Sequence, residues 1–424
     1  MYTRANWITT TNIYEVNTRQ YSEEGTFTAF ARSLPRLKDM GIEVLWIMPI
    51  HPIGKINRKG SLGSYYSIAD FKAVNPEFGT DADFKQLVKL AHDAGMKVIM
   101  DWVANHAAWD NVWTIEHPEY FVRDEAGHFV TPYDWTDVIQ IDHNNPAQQE
   151  AMIDAMQYWI SNFDIDGFRA DLAHLTPLDF WKKARTAIEP LKPGLFWLAE
   201  SEEINYHEVF DATFTWAWMH QAENFYKGNG NLTNLFEVLA RYETTFPATA
   251  YRMYFTSNHD ENSWNGTGTE KYGHMLKALA VFSCTWNGLP MIYSGEELPN
   301  EKRLRFFDKD AIAWTGNCLL HDFYKTLLTL RKTNAALSAA DDTVTTFHVL
   351  TEGGKNLMAY LRKNENDEVL VLLNLNNETT GFIIKDQLIY GNYSNVFTGE
   401  VSYLTPDTFI KMQPWDYLVF ERKS

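Results

Sequence analysis

The sequence predicts an α/β fold built on parallel strands, followed by a small antiparallel β-sandwich. Three observations point there. Strand-like and helix-like segments alternate from the N-terminus to about residue 335. Several strand-like runs are continuously apolar, as strands covered on both faces are. From about Ala339 the hydrophobic period changes to two, the alternation of antiparallel strands.

The elements follow in order. Ile13–Val16 reads as a first strand and 27–39 as a helix ending at Gly41, before the apolar run Val44–Met48. Thr80 or Asp81 can cap a helix with Phe84, Leu87, Val88 and Ala91 on one face, stopped by Gly95. Lys97–Val103 reads as the next strand, which completes a right-handed crossover unit. The pattern then pauses. Residues 104–145 hold His106, Trp109, Trp113, His117, Tyr133, Trp135, Asp137 and Asp142 with little periodicity. A long irregular insertion in a regular fold is usually functional. Alternation resumes with a helix over 147–162 and a strand reaching Asp171. Further strands end at Glu200, cover Asp211–Phe214 and Tyr251–Thr256, and finish with Pro290–Tyr293; a helix over 322–332 closes the series. Thr345–Leu350, Leu357–Leu361, Val369–Asn374 and Tyr417–Phe420 read as antiparallel strands, with turns at Gly353-Gly354 and 364–367. The division is then 1–103 with 146–337, an insertion over 104–145, and a sandwich over 338–424.

A chain of 424 residues, 45% hydrophobic, can bury a large core. The net charge of −18 argues against nucleic acid and anionic membranes as partners. Aromatic residues make up 15% of the chain, with 15 Trp; sugar binding uses such rings, and core packing does too. No run of about 18 apolar residues exists, so no membrane span is expected. The opening Met1–Trp7 lacks the basic-then-apolar pattern of a signal peptide, which fits a cytoplasmic chain or one with its leader trimmed. Cys284 and Cys318 read as buried thiols.

Three carboxylates stand where apolar runs give way to polar loops: Asp171, Glu200 and Asp260. In a barrel of parallel strands such ends share one mouth. Two carboxyls with a third across the cleft are what cleavage of a glycosidic bond requires. Arg169 lies two residues before Asp171, so both side chains share a face, and its guanidinium is expected to lower the Asp171 pKa. Apolar neighbours such as Trp197, with the charges of Asp171 and Asp260, are expected to raise that of Glu200.

Four stretches carry a resemblance: 101–106 (DWVANH), 167–171 (GFRAD), 197–201 (WLAES) and 255–261 (FTSNHDE). Supporting stretches are 64–70, 75–80 and 288–297. Together they resemble the α-amylase family, glycoside hydrolase family 13. The resemblance implies a (β/α)8 TIM barrel, a short loop domain inserted after the third strand and a C-terminal antiparallel β-sandwich. It implies retaining cleavage of α-1,4-glucosidic bonds in starch-derived glucans or maltooligosaccharides. A glycosyl-transferring or exo-acting α-glucosidase relative would share the site, and a non-catalytic sugar-binding homologue is a remote alternative. By resemblance Asp171 is the nucleophile, Glu200 the general acid/base and Asp260 the third acid. His106 and His259 match histidines that bond sugar hydroxyls, and Tyr66 matches an aromatic platform that a slip of one would exchange with Tyr65. Asp101 matches a residue supporting Arg169, and Glu296-Glu297 one that orders the mouth.

No cofactor is required for the chemistry. Many members hold a structural calcium ion, for which Asn105 matches one ligand, although the short insertion does not complete six to eight oxygens. One departure concerns the leaving-group side: His174 and Leu175 stand where many members have Lys and His. The implied partner is an oligo- or polysaccharide, with no nucleic acid or membrane; the oligomeric state is open.

Overall fold

The computed structural model describes Tyr2, Ala5, residues 7–365 and residues 367–423. Met1, Thr3, Arg4 and Asn6 of the N-terminal reading, and Asn366 of the predicted turn over 364–367, lie outside the described residues. Eight parallel strands close into a barrel: Ile13–Val16, Val44–Ile47, Lys97–Trp102, Gly167–Ala170, Phe196–Ala199, Ala212–Phe214, Tyr251–Tyr254 and Leu289–Tyr293. Closure is visible at Ile13, which pairs with Val44 on one side and Met291 on the other.

Local chemistry explains the elements. In the helix Asp81–Asp93, Thr80 and Asp83 form a reciprocal capping box. Its predicted stripe of Phe84, Leu87, Val88 and Ala91 is buried. The single helix expected over 27–39 is instead two, Phe27–Ala31 and Leu34–Met40. Pro35 in the first turn of the second has no N–H to continue the ladder from the first. Gly167 opens the fourth strand at φ +151°, where a Cβ would fall 1.9 Å from the Phe196 carbonyl oxygen. Only glycine lets the strand leading to Asp171 lie so close to its neighbour.

The insertion is tied to the barrel mouth by a short antiparallel pair, His106–Ala108 with Val138–Gln140. The C-terminal region forms a six-stranded and a three-stranded antiparallel sheet. In its strand Asp367–Asn374, the run 369–373 is apolar without interruption because both faces are covered. Val369, Val371 and Leu373 join the barrel's core, whereas Leu370 and Leu372 pack with Phe382, Ile384 and Met412 of the smaller sheet. Both cysteines are free; Cys284 is buried as expected, but Cys318 is only half-buried. Among the described residues no helix is long and apolar enough to cross a membrane.

Candidate active site

Arg169 is the hub of the barrel mouth. It is fully buried, held over the Trp46 ring at 4.9 Å. Its Nη1 donates to Asp101 Oδ1 at 2.8 Å and to Asp171 Oδ1 at 3.0 Å. Its Nη2 stands 2.8 Å from Glu200 Oε2, at an angle unsuited to a hydrogen bond. One guanidinium therefore gathers three carboxylates from the ends of three adjacent strands. Asp101 also accepts from Trp46 Nε1 at 3.0 Å and from the Tyr66 hydroxyl at 3.1 Å.

Asp171, Glu200 and Asp260 line one cavity of about 540 Å³, together with Tyr66, His106, Trp135, Leu172, Trp264, Phe306 and Phe307. That volume lies in the range of pockets that enclose most of a small ligand. The second carboxylate oxygen of Asp171, Oδ2, is buried and has no hydrogen-bond partner. Glu200 Oε2 accepts the Leu172 backbone N–H at 2.8 Å, and Leu172 adopts φ +40° to present it. Left-handed backbone is costly for leucine.

One electrostatic expectation is corrected, and one assumed neighbour. Burial raises the Asp171 carboxyl well above its ordinary range, and repulsion from Glu200, Asp101 and Asp260 adds to it; Arg169 opposes but does not prevail. Burial outweighs the cation, which also serves three acids at once. Trp197 does not line the mouth. It packs against Phe168 and Phe210 on the helix side of the strand, one position out of phase with the inward residues. Glu200 instead meets the Leu172 backbone N–H and the Arg169 guanidinium.

The histidines differ. His106 lines the cavity, and burial lowers its pKa to about 4, against the pull of Asp137, so it is a neutral ring. His259 lies deeper, with Nδ1 bonded to Glu15 and Nε2 2.8 Å from the Tyr66 hydroxyl and 3.2 Å from Asp260 Oδ2. Its ring nitrogens are engaged by protein groups. Burial opposes its charge, yet Asp260 and Glu15 raise its pKa well above the ordinary value. His259 in turn holds the Asp260 carboxyl below its ordinary range despite burial. Tyr66 faces the cavity, while Tyr65 is buried beneath Arg19 at 4.2 Å.

The Asn105 side-chain oxygen does not fit a cation site. Gln140 Nε2 donates to it at 3.0 Å, to the Asn105 carbonyl at 3.1 Å and toward the Ile141 carbonyl at 3.5 Å. An amide nitrogen occupies the point where those oxygens converge. Among the described residues no three His, Cys, Asp or Glu side chains are grouped to hold a metal.

A family model described as the α-amylase catalytic domain matches residues 12–138 and 123–313. The chain belongs to the α-amylase family. Two solved structures are similar throughout. One is a noncanonic maltogenic α-amylase, AmyB from Thermotoga neapolitana, at 30% identity and TM-score 0.89, covering 98% of this chain and 99% of that one. The other is an α-amylase from Lactobacillus plantarum, at 30% identity and TM-score 0.87, covering 97% and 99%. Among curated relatives, the α-amylase MalA of Haloarcula japonica is 27% identical over 396 residues. That match covers 88% of this chain but only 56% of the Haloarcula protein.

Within this α-amylase-family site, several residues escape sequence reasoning. Trp264, Phe306 and Phe307 form one wall, with Trp264 53% exposed and its ring 5.3 Å from Phe306. Nothing in their spacing reveals that wall. Of the three tryptophans of the insertion, only Trp135 lines the cavity; Trp113 packs on Phe71, and Trp109 donates to the Thr136 carbonyl. Glu15 was readable in principle, as a charged residue inside an otherwise apolar strand.

Proposed function

We propose that this chain hydrolyses α-1,4-glucosidic bonds of starch-derived glucans or maltooligosaccharides with retention of configuration. The observation that carries the reading is the single Arg169 guanidinium joining Asp171 and Glu200 at one cavity, with Asp260 lining the same space. Asp171, which lines the cavity, attacks the anomeric carbon, while Glu200 protonates the leaving oxygen. A covalent glycosyl ester forms on Asp171. Glu200, now a carboxylate, takes a proton from water, the water oxygen attacks the anomeric carbon, and Asp171 is released. Asp260, held as a carboxylate by His259, grips sugar hydroxyls and favours the ring's developing positive charge. Tyr66 supplies an aromatic face against the sugar.

A second reading has the same site passing the glycosyl unit to another sugar. Leu172 and Trp264 give the cavity apolar faces, against which a sugar competes with water. A time course on maltoheptaose separates the readings. Shorter products whose first-formed anomer is α support hydrolysis with retention. Products longer than seven units support transfer, and a β anomer released first overturns the retaining mechanism.

A further inference from the structure

Glu15 is a carboxylate in the middle of a buried barrel strand, with no exposed surface. Strand register sets it between Trp46 on one neighbour and Tyr293 on the other. A charge so placed is strongly unfavourable unless a partner compensates it. Its partner is His259, whose Nδ1 donates to Glu15 Oε1. The other Glu15 oxygen has no hydrogen-bond partner. Beyond the ring, His259 Nε2 reaches Asp260 Oδ2 at 3.2 Å and the Tyr66 hydroxyl at 2.8 Å. Tyr66 in turn donates to Asp101 at 3.1 Å. The line thus runs from a wholly buried acid, through an imidazole, to the acid on the cavity wall.

Resting on the glycosidase reading above, we propose that Glu15 is a positioning residue for Asp260. It keeps His259 doubly protonated and fixed in orientation, so that Asp260 stays a carboxylate aimed at the sugar ring. A glutamine at position 15 could still accept from Nδ1 and orient the ring, but it carries no charge to retain the second proton. The groups facing His259 are Glu15, Asp260, Asp101, Tyr66 and Arg169. Of these only Arg169 disfavours the imidazolium. It is neutralised by Asp101, Asp171 and Glu200, so Glu15 and Asp260 decide the ring's state.

Glu15→Gln tests this with maltoheptaose as substrate. The expected result is a fall in kcat of roughly tenfold to a hundredfold, the usual effect of losing a residue that orients a functional histidine. KM should change little, because Asp260 acts chiefly on the charged transition state. The basic limb of the rate profile should move to lower pH, since activity is lost when His259 deprotonates and Glu15 is what delays that loss. A change confined to KM, or an unmoved basic limb, overturns the proposal. If Glu15→Gln does not fold, Glu15→Asp serves instead. It keeps the charge but withdraws it by one methylene, so kcat should drop severalfold and the basic limb should shift the same way by less; wild-type behaviour there overturns the proposal too. Failure of the wild-type chain to cleave maltoheptaose would sink the glycosidase reading, whereas an unchanged variant beside an active wild type sinks the Glu15 role alone.

Discussion

Asp171 and Arg169 show how a pair can be placed correctly and its balance misjudged. Their spacing puts both on one strand face, and the structure has them 3.0 Å apart. The spacing does not reveal that Asp101 and Glu200 draw on the same guanidinium. Burial and those neighbours raise Asp171 well above its ordinary value. A nucleophile works only as a carboxylate, so activity is lost as pH falls through that raised value. The acid limb of kcat/KM is therefore expected above the ordinary aspartate range, and Asp101→Asn should move it to lower pH. That change removes a repelling charge and leaves Arg169 more to Asp171, two effects of the same sign; an acid limb that moves upward would refute the account. Asp171→Asn should lower kcat by at least about a thousandfold with the fold retained, as measured by turnover and circular dichroism. Near-normal rates would remove the nucleophile assignment. The strand-end carboxylates were legible because each closes an apolar run. The inward or outward sense of Trp197 was not, since a strand buried on both faces has no polar phase to read.

Among elements, the strand and helix pattern was legible wherever a period or a cap marked it. The helix Asp81–Asp93 has both, and its capping box makes Thr80→Ala a loss of about 1 kcal/mol, measurable by denaturant unfolding. The insertion was the opposite case. Its short strands, His106–Ala108 and Val138–Gln140, lie about thirty residues apart with no turn signal to join them. Beyond the backbone ladder, the Gln140 amide set among the oxygens of Asn105 and Ile141 helps to fasten them. Because a donor already satisfies those oxygens, a chelator is expected to leave Tm unchanged. Gln140→Glu turns the donor into an acceptor facing acceptors, which should cost about 1–3 kcal/mol. The same variant creates a carboxylate beside three carbonyl-type oxygens, so millimolar Ca²⁺ should recover part of the lost Tm. A Tm of the wild-type chain that falls in chelator would contradict this picture.

At the scale of the molecule, the barrel and the C-terminal sheets share one core, and their titrating groups set stability together. Tyr360 of the larger sheet meets the barrel-side Thr285 hydroxyl at 2.6 Å, and Arg331 donates to the Gly288 and Thr9 carbonyls beneath the barrel. Within this body Glu296 is half-buried, bonded to Thr256 and to the Tyr293 backbone N–H. Burial raises its pKa to about 8, although both hydrogen bonds oppose the rise. The ordinary glutamate value is 4.5, so between those limits the folded chain binds a proton that the unfolded chain has released. By linkage, stability then declines as pH rises through that window, by up to about 1.4 kcal/mol per pH unit for this one group. Asp101 and Asp171 are raised in the same direction and add to the decline. Asp166 works the other way. His92, Lys192 and the Val98 N–H hold it at about 2 against burial, so its contribution is lost only below the ordinary value of 3.8. His51, His106 and His143, whose charged forms burial disfavours, make stability rise with pH up to the ordinary histidine value of 6.5, so the decline set by Glu296 shows above that value. Urea midpoints from pH 6.5 to 8.5 should fall in the wild-type chain and fall less in Glu296→Gln, whose amide carries no charge to release. Midpoints that rise with pH across that range, or a variant that declines as steeply as the wild type, would show that Glu296 does not govern this slope.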